Sequence, residues 1–493
     1  MAAKLKQLFA EVFGFACFQG FLFALFGMGT EEVTFSNAVV LNRGILLITL
    51  LFAAVMLGIL RALPKDALQR LMSPVLMYIY ALLLIGASFV LLLANDMPNH
   101  NAPFALEAAC GAIQGVAIAP LLCAWGRLLG SYSLDDAAIV AIAGSTAGAV
   151  VSALCCFAPA LLGSFVIYLL PLGAASTLEL RLRQVTVPFG EEQPESAPSA
   201  KAIDLSVRIM SGAFVFGVGS GFAHSFMGND GQSYVSFPVS LLIFAMLGIA
   251  ALQIFFRPVS LRGSKDADEQ DNPAQFVARQ GAVAYVYRLA ILMMVAGFLF
   301  APALRDLTVN GQSIVFAGFL GLLMVLVIVF LVNAFTTSRD AAMAFSAGFA
   351  ILLGGQTLGL LLGGLFDAFV DFEIYRTWAF AVAGLLVMVA FLFLFTENDL
   401  GELGTVAQAI DSFDEACTRL VQERGLSKRE AEILPLALKG RTSERIAEQF
   451  VISKSTVDTH LRRIYAKCDV HSRQELIDLG ERVAEQIASG RVE

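Results

Sequence analysis

Two sets of residues in this 493-residue chain have the type and setting to do chemistry. Glu107, Gln114, His224 and Gln356 are polar side chains inside long apolar stretches. Such groups cost free energy in hydrocarbon unless they are paired or wetted. They are therefore candidates for a ligand or ion site, with hydrogen bonding between helices as the alternative. Glu107 and Gln114 are seven apart, on roughly one helix face. The second set lies near the C-terminus: Lys454, Ser455, Thr456, Asp458, Thr459, Arg462, Arg463 and Lys467. Hydroxyls, an acid and cations interleaved at this density suit base edges and phosphate oxygens.

No catalytic residue, cofactor or metal is expected. The cysteines at 17, 110, 123, 155, 156, 417 and 468 show no metal-ligand spacing. They read as small buried hydrophobes, and adjacent Cys155 and Cys156 are poorly placed to bond each other. His460 and His471 have no nucleophile or carboxylate at catalytic spacing. His471 precedes a helix start and reads as structural. Asp367, Asp371 and Glu373 read as a solvated loop rather than a metal site. No phosphate loop and no phosphoacceptor-type domain is visible.

The elements that must position these residues are mostly membrane spans. Hydrophobic residues make up 57% and charged residues only 15%, too little polar surface to cover a soluble globule. With 40 Phe and 2 Trp, the chain suits lipid-facing packing. A ~30 Å hydrocarbon core takes about 20 apolar residues per helix. Twelve spans are expected, near 8–28, 42–60, 72–94, 103–125, 137–158, 160–177, 207–227, 237–256, 287–304, 313–335, 341–366 and 377–395. The first could mimic a signal peptide, but Glu11 and Gln19 interrupt it, and it is read as an anchored span. With the N-terminus inside, inner segments before residue 396 hold 16 Lys/Arg and outer ones 3. That bias puts both termini in the cytoplasm, at a bacterial cytoplasmic membrane.

The break at 179–203 divides the spans six and six. That layout resembles the major-facilitator bundle, which implies a midplane cavity between two halves. The segment GILRALPKDALQR departs from the Gly-rich signature that working transporters of that kind carry there. Glycines recur every four residues at Gly144/Gly148, Gly217/Gly221 and Gly355/Gly359/Gly363. Such spacing lets helices approach closely, for packing or for gating around a cavity.

After Phe395 the composition changes. Residues 396–493 hold 14 Lys/Arg and 18 Asp/Glu, with no run long enough to span. Leu403, Val406, Ile410, Phe413, Cys417 and Leu420 follow a 3,4 spacing. Two readings stay open: an amphipathic helix packing on the next domain, or a dimer-forming signalling helix. Beyond it, Ser427 and Glu430 form a capping box for a first short helix with Ile433, Leu436 and Ala437 inward, stopped by Gly440. Thr442 or Ser443 opens a second, with Ile446 and Ala447 inward. Ser453 caps a third, with Val457, Leu461 and Ile464 inward. Ser472 and Glu475 open a fourth. The window 453–473 is locally basic, with five Lys/Arg against two Asp/Glu, although the whole chain carries −8. This is a helix-turn-helix layout whose third helix would lie in a major groove.

The text LSKREAEIL and KGRTSERIAEQFVISKSTVDTHLRRIYAKCDVHSRQELI resembles the LuxR-type (GerE-like) DNA-binding domain over roughly 427–485. The resemblance implies a transcriptional regulator that reads double-stranded DNA with its third helix and often dimerises through its fourth. By position, Asp458, Thr459 and Arg462 would read bases, and Lys454, Ser455, Thr456, Arg463 and Lys467 would hold phosphates. Many members carry Lys where Asp458 stands; an acid there could accept from cytosine N4 or pair with Arg462. The architecture also resembles membrane-bound LuxR-type regulators of certain gut Actinobacteria. The expectation is an all-α protein in three parts: a twelve-span sensor-like bundle (1–395), an amphipathic junction (396–425) and a helix-turn-helix domain (426–493). The bundle would bind an unidentified small molecule in the lipid bilayer, and the tail would bind promoter DNA as a homodimer. The alternatives are a secondary transporter with a DNA-binding appendage, or a bundle that serves only as an anchor.

Overall fold

In a computed structural model, the described residues are 2–27, 43–95, 103–132, 134–183, 200–226, 233–255, 292, 309–336, 341–369, 384, 413, 416–438, 440–450 and 452–488. All regular structure among them is helical. The chain divides into two compact units. The larger holds α1 (Ala2–Gln7), α2 (Phe9–Gly27), α3 (Arg43–Ala62), α4 (Lys65–Leu71), α5 (Pro74–Asn95) and α6 (Phe104–Leu129). It continues through α7 (Leu134–Phe157), α8 (Ala160–Leu182), α9 (Ala200–Phe226), α10 (Ser233–Phe255), α11 (Val309–Thr336) and α12 (Ala341–Phe369). The smaller holds α13 (Lys428–Leu438), α14 (Ser443–Phe450), α15 (Lys454–Cys468) and α16 (Arg473–Ala488).

Ten of the twelve expected spans coincide with α2, α3 and α5–α12. The ninth and twelfth lie outside the described residues, apart from helical positions Leu292 and Gly384. Six of the helices are long and apolar enough to cross a membrane, and α2, α10 and α11 contain shorter apolar stretches. Helices are the form such a chain must take, because hydrocarbon offers the backbone no partner outside the helix itself. The segment between α3 and α5 folds as the short charged helix α4, entered through Pro64.

Burial in this unit differs from that of a soluble protein at its surface. Phe9, Val75, Leu154 and Met246 are more than half exposed, while Thr49, Ser88, Gln114 and Ser152 are buried. Large apolar side chains cover the outside as well as filling the core, and the polar ones named turn inward, as a lipid solvent requires. This is a multi-pass membrane protein.

The tightest contact is between α9 and α12. A Cβ on Gly217 would strike Leu352 O, and one on Gly221 would strike Gln356 O. From the other side, a Cβ on Gly355 would strike Phe214 O, and one on Gly359 would strike Val218 O. The two backbones therefore touch through reciprocal glycines. Gly148 meets Ala16 and Gly20 in the same manner, and Gly115 meets Thr49 and Ala53. A second fastening is ionic. Glu11 on α2 is buried, and its carboxylate accepts from Arg181 Nε on α8 at 2.9 Å and from Tyr132 OH, just past α6, at 2.8 Å. Sequence reading saw Glu11 only as an interruption of the first span.

Gly359→Leu should therefore cost the bundle roughly 1–3 kcal/mol or more through overpacking. Gly354→Ala and Gly364→Ala, where a Cβ meets open space, should be silent. Monodispersity and thermal unfolding of the detergent-purified chain measure the difference; equal behaviour of the three variants would contradict the seam.

Candidate functional site

The small unit is built around one core: Ile433, Leu434 and Ala437 of α13, Ile446 of α14, Val457, Leu461 and Ile464 of α15, and Leu476 of α16. Of the residues expected inward, Leu436 is only half-buried at the edge, and Leu434 takes its place. Ala416, Cys417 and Leu420 are buried in this same core, with Phe413 packed against it. This half of the junction seam thus packs on the small unit, as the first of its two readings expects. Leu403, Val406 and Ile410 lie outside the described residues.

Local chemistry sets each helix end. Ser427 N–H donates to Glu430 Oε2 at 2.8 Å and Glu430 N–H to Ser427 Oγ at 3.4 Å, a closed capping box. Thr442 rather than Ser443 caps α14, accepting from Arg445 N–H. Ser453 Oγ accepts from Thr456 N–H at 3.1 Å and starts α15. Glu475 reaches back past Ser472 to the backbone N–H of His471 at 2.8 Å. Gly425 and Gly440 take left-handed conformations between helices, as does Asp469 at the end of α15.

These caps leave one face of α15 outward. Ser455, Thr459, Arg462 and Arg463 are exposed, and Asp458 is half-buried. Thr459 Oγ1 donates to Ser455 O at 2.8 Å, and the hydroxyls of Ser455 and Thr456 lie 2.8 Å from Ser453 Oγ. Arg462 and Arg463 make no ion pair among the described residues, so the Asp458–Arg462 pairing does not form. Lys454 pairs with Glu444 of α14, both exposed, a contact of little energetic weight. His460 is half-buried, and its Nδ1 has no hydrogen-bond partner among the described residues.

Lys467, expected to hold a phosphate, is exposed and also makes contacts within the domain. Its ammonium donates to buried Glu430 at 2.7 Å and to Gly425 O at 2.9 Å, tying the end of α15 to the start of α13. Burial pushes the Glu430 carboxyl up, but the Lys467 hydrogen bond and those from Ser427 outweigh it, and the group falls to about 2.

In the membrane unit the four polar candidates separate. Gln114 is fully buried and donates to Ser88 Oγ of α5 at 3.0 Å, an interhelical bond. Glu107 is half-buried in the first turn of α6, where the helix dipole favours an acid. Neither borders the cavity that takes in the other two. His224 and Gln356 do: they meet Gln19 and Ser220 in a space of about 110 Å³ among α2, α6, α9, α10, α11 and α12. Six phenylalanines and seven Leu/Ile complete the lining. The ring of His224 sits 6.0 Å from that of Phe316. Gln19 and Ser220 were missed: the first read as a break in a span, the second as one serine among many.

Comparison with known proteins agrees with this geometry for the tail. Residues 424–479 match the family described as "Bacterial regulatory proteins, luxR family" (GerE). The "Oxygen regulatory protein NreC" of Staphylococcus haemolyticus is 47% identical over 53 residues, 11% of this chain and 24% of that protein. The "Uncharacterized response regulatory protein YgeK" of Escherichia coli is 43% identical over 60 residues, 12% and 41%. The chain thus spans less than half the length of these relatives. Its C-terminal unit is a LuxR-type helix-turn-helix domain. Among solved structures, the human organic anion transporter MFSD10 (TETRAN) is similar over 78% of this chain and 97% of its own, at TM-score 0.47 and 14% identity. That likeness is too loose to establish fold or transport.

The Glu430 shift sets a pH dependence. The folded value, about 2, lies below the ordinary 4.5. Its stabilisation is therefore present above pH 4.5 and lost as pH falls from there toward 2. Because the described core residues all lie within 413–484, a tail fragment is the right sample. Urea unfolding should show Glu430→Gln costing roughly 1–3 kcal/mol at neutral pH and flattening the acid-side loss. A variant as stable as the parent at pH 7 would rule this out.

Proposed function

We propose that this protein is a membrane-bound one-component transcriptional regulator. Residues 1–395 form the sensor, 396–425 the junction and 426–493 the DNA-binding domain. The observation that carries the reading is the outward face of α15, where Arg462 and Arg463 stand exposed and unpaired beside Ser455 and Thr459 in a LuxR-type domain. Thr459 and Arg462, with Asp458 between them and the α15 N-terminus, would meet base edges in a major groove. Ser455, Thr456, Lys454, Arg463 and Lys467 would meet phosphates. Two copies would bind adjacent half-sites, with α16 as the pairing element. The positive-inside bias supports both termini lying in the cytoplasm of a bacterial cell, where the tail would meet the chromosome.

The bundle contributes by holding two states of unequal ligand affinity; a ligand that binds both equally shifts nothing. Ligand binding without flux in proteoliposomes is the outcome expected of a sensor. Substrate accumulation dependent on Gln356 would favour the transporter reading instead.

Gel shifts on the tail fragment test the DNA reading. Arg462→Ala should weaken specific binding by roughly 1–3 kcal/mol and relax base preference at one position. Arg463→Ala should weaken all sequences alike and lower the salt slope by about 1. Unchanged affinity and preference in both variants would remove α15 as the reading helix.

A further inference from the structure

Gln19 sits near the middle of α2 with 6% of its surface exposed. It lines the 110 Å³ cavity and has no hydrogen-bond partner among the described residues. A primary amide offers two donors and a carbonyl acceptor. An amide at a cavity wall that bonds to no neighbouring group is available to meet a ligand or a water there. Gln356 on α12 lines the same cavity and is likewise without a partner among the described residues. Ser220 donates its proton to Gly217 O at 3.0 Å, which leaves its lone pairs to accept.

The rest of the lining narrows the ligand. Among the described residues that line the cavity, none is an acid, a lysine or an arginine, and His224 is the one titratable group. A cation would be buried there without a counter-charge, and an anion would find one only by protonating His224, so a full charge is costly in this cavity. Six phenylalanines supply ring edges and faces: Phe216 and Phe319 lie 5.6 Å apart and Phe237 and Phe316 6.0 Å apart, centroid to centroid. Such walls suit a flat apolar body. The volume is of the order of an apolar protein cavity of roughly 150 Å³ that takes up benzene.

We infer that the cavity binds an uncharged molecule of about one ring, bearing a hydrogen-bond donor and an acceptor on one edge. Gln19 and Gln356 grip that edge, and the body lies among the phenylalanines. The inference rests on the reading of this unit as a ligand-binding sensor and adds the chemistry of what it senses.

The test uses the full chain in detergent with three probes of one shape: benzamide, benzoate and toluene. Calorimetry should show benzamide binding at least about tenfold tighter than either of the others, the scale of one or two hydrogen bonds. Gln19→Met and Gln356→Met keep side-chain length and remove the amide. Each should weaken benzamide about tenfold while leaving toluene unchanged. Leu323→Trp fills the cavity without touching an amide and should abolish uptake of all three. Benzoate binding as tightly as benzamide, benzamide binding unaffected by both methionine variants, or no binding by any probe would each overturn the inference. DNA affinity of the same samples is read in parallel. Benzamide that binds as expected but leaves DNA affinity unchanged supports the ligand class and counts against the sensing role. A parent chain that binds DNA but not benzamide overturns the ligand class and leaves the DNA reading intact.

Discussion

The seam between α9 and α12 exists because glycine has no side chain. Any Cβ at Gly217, Gly221, Gly355 or Gly359 would occupy the space of a backbone atom on the facing helix. In lipid, water does not drive two apolar helices together, so close van der Waals approach has to do that work. The cavity inherits its geometry from this contact. Ser220 precedes Gly221, and Gln356 follows Gly355. The carbonyl of Gln356 is itself the atom that Gly221 accommodates. A slide or rotation along the seam would therefore move the polar wall of the cavity. Small shifts of packed helices of this sort are a recognised basis for two-state behaviour.

The small unit obeys the opposite solvent. Its apolar residues converge on one core, and Glu430 is a buried charged residue among those described. Glu430 is buried and holds the capping box with one side of its chemistry and Lys467 with the other. This arrangement fixes the end of α15 against the start of α13. It orients the outward face of α15 by a charge that does not itself lie on that face. Removing Lys467 from this pair would leave the buried Glu430 carboxylate without its cation.

Much of this was legible in the residues. Ten spans, the Gly217/Gly221 and Gly355/Gly359/Gly363 repeats, the Ser427–Glu430 box and the inward faces of α14 and α15 all follow from periodicity, propensity and caps. Those are local properties, and a helix in hydrocarbon has no other way to satisfy its backbone. The four polar candidates inside the spans were visible for the same reason.

Their roles were not visible. Gln19, Gln114 and Gln356 are the same residue in the same kind of setting, and nothing in the neighbouring sequence separates them. Which one meets a serine on the next helix and which ones border a cavity depends on helix pairing between positions as distant as 19 and 356. Lys467 likewise reads as a cation on a basic helix until Glu430, 37 residues earlier, is found beneath it. The sequence alone determined where the helices run, which solvent each half of the chain meets and where a DNA-reading surface lies. Only the tertiary structure decided which polar groups partner each other, because that choice is made by contacts between segments far apart in the chain.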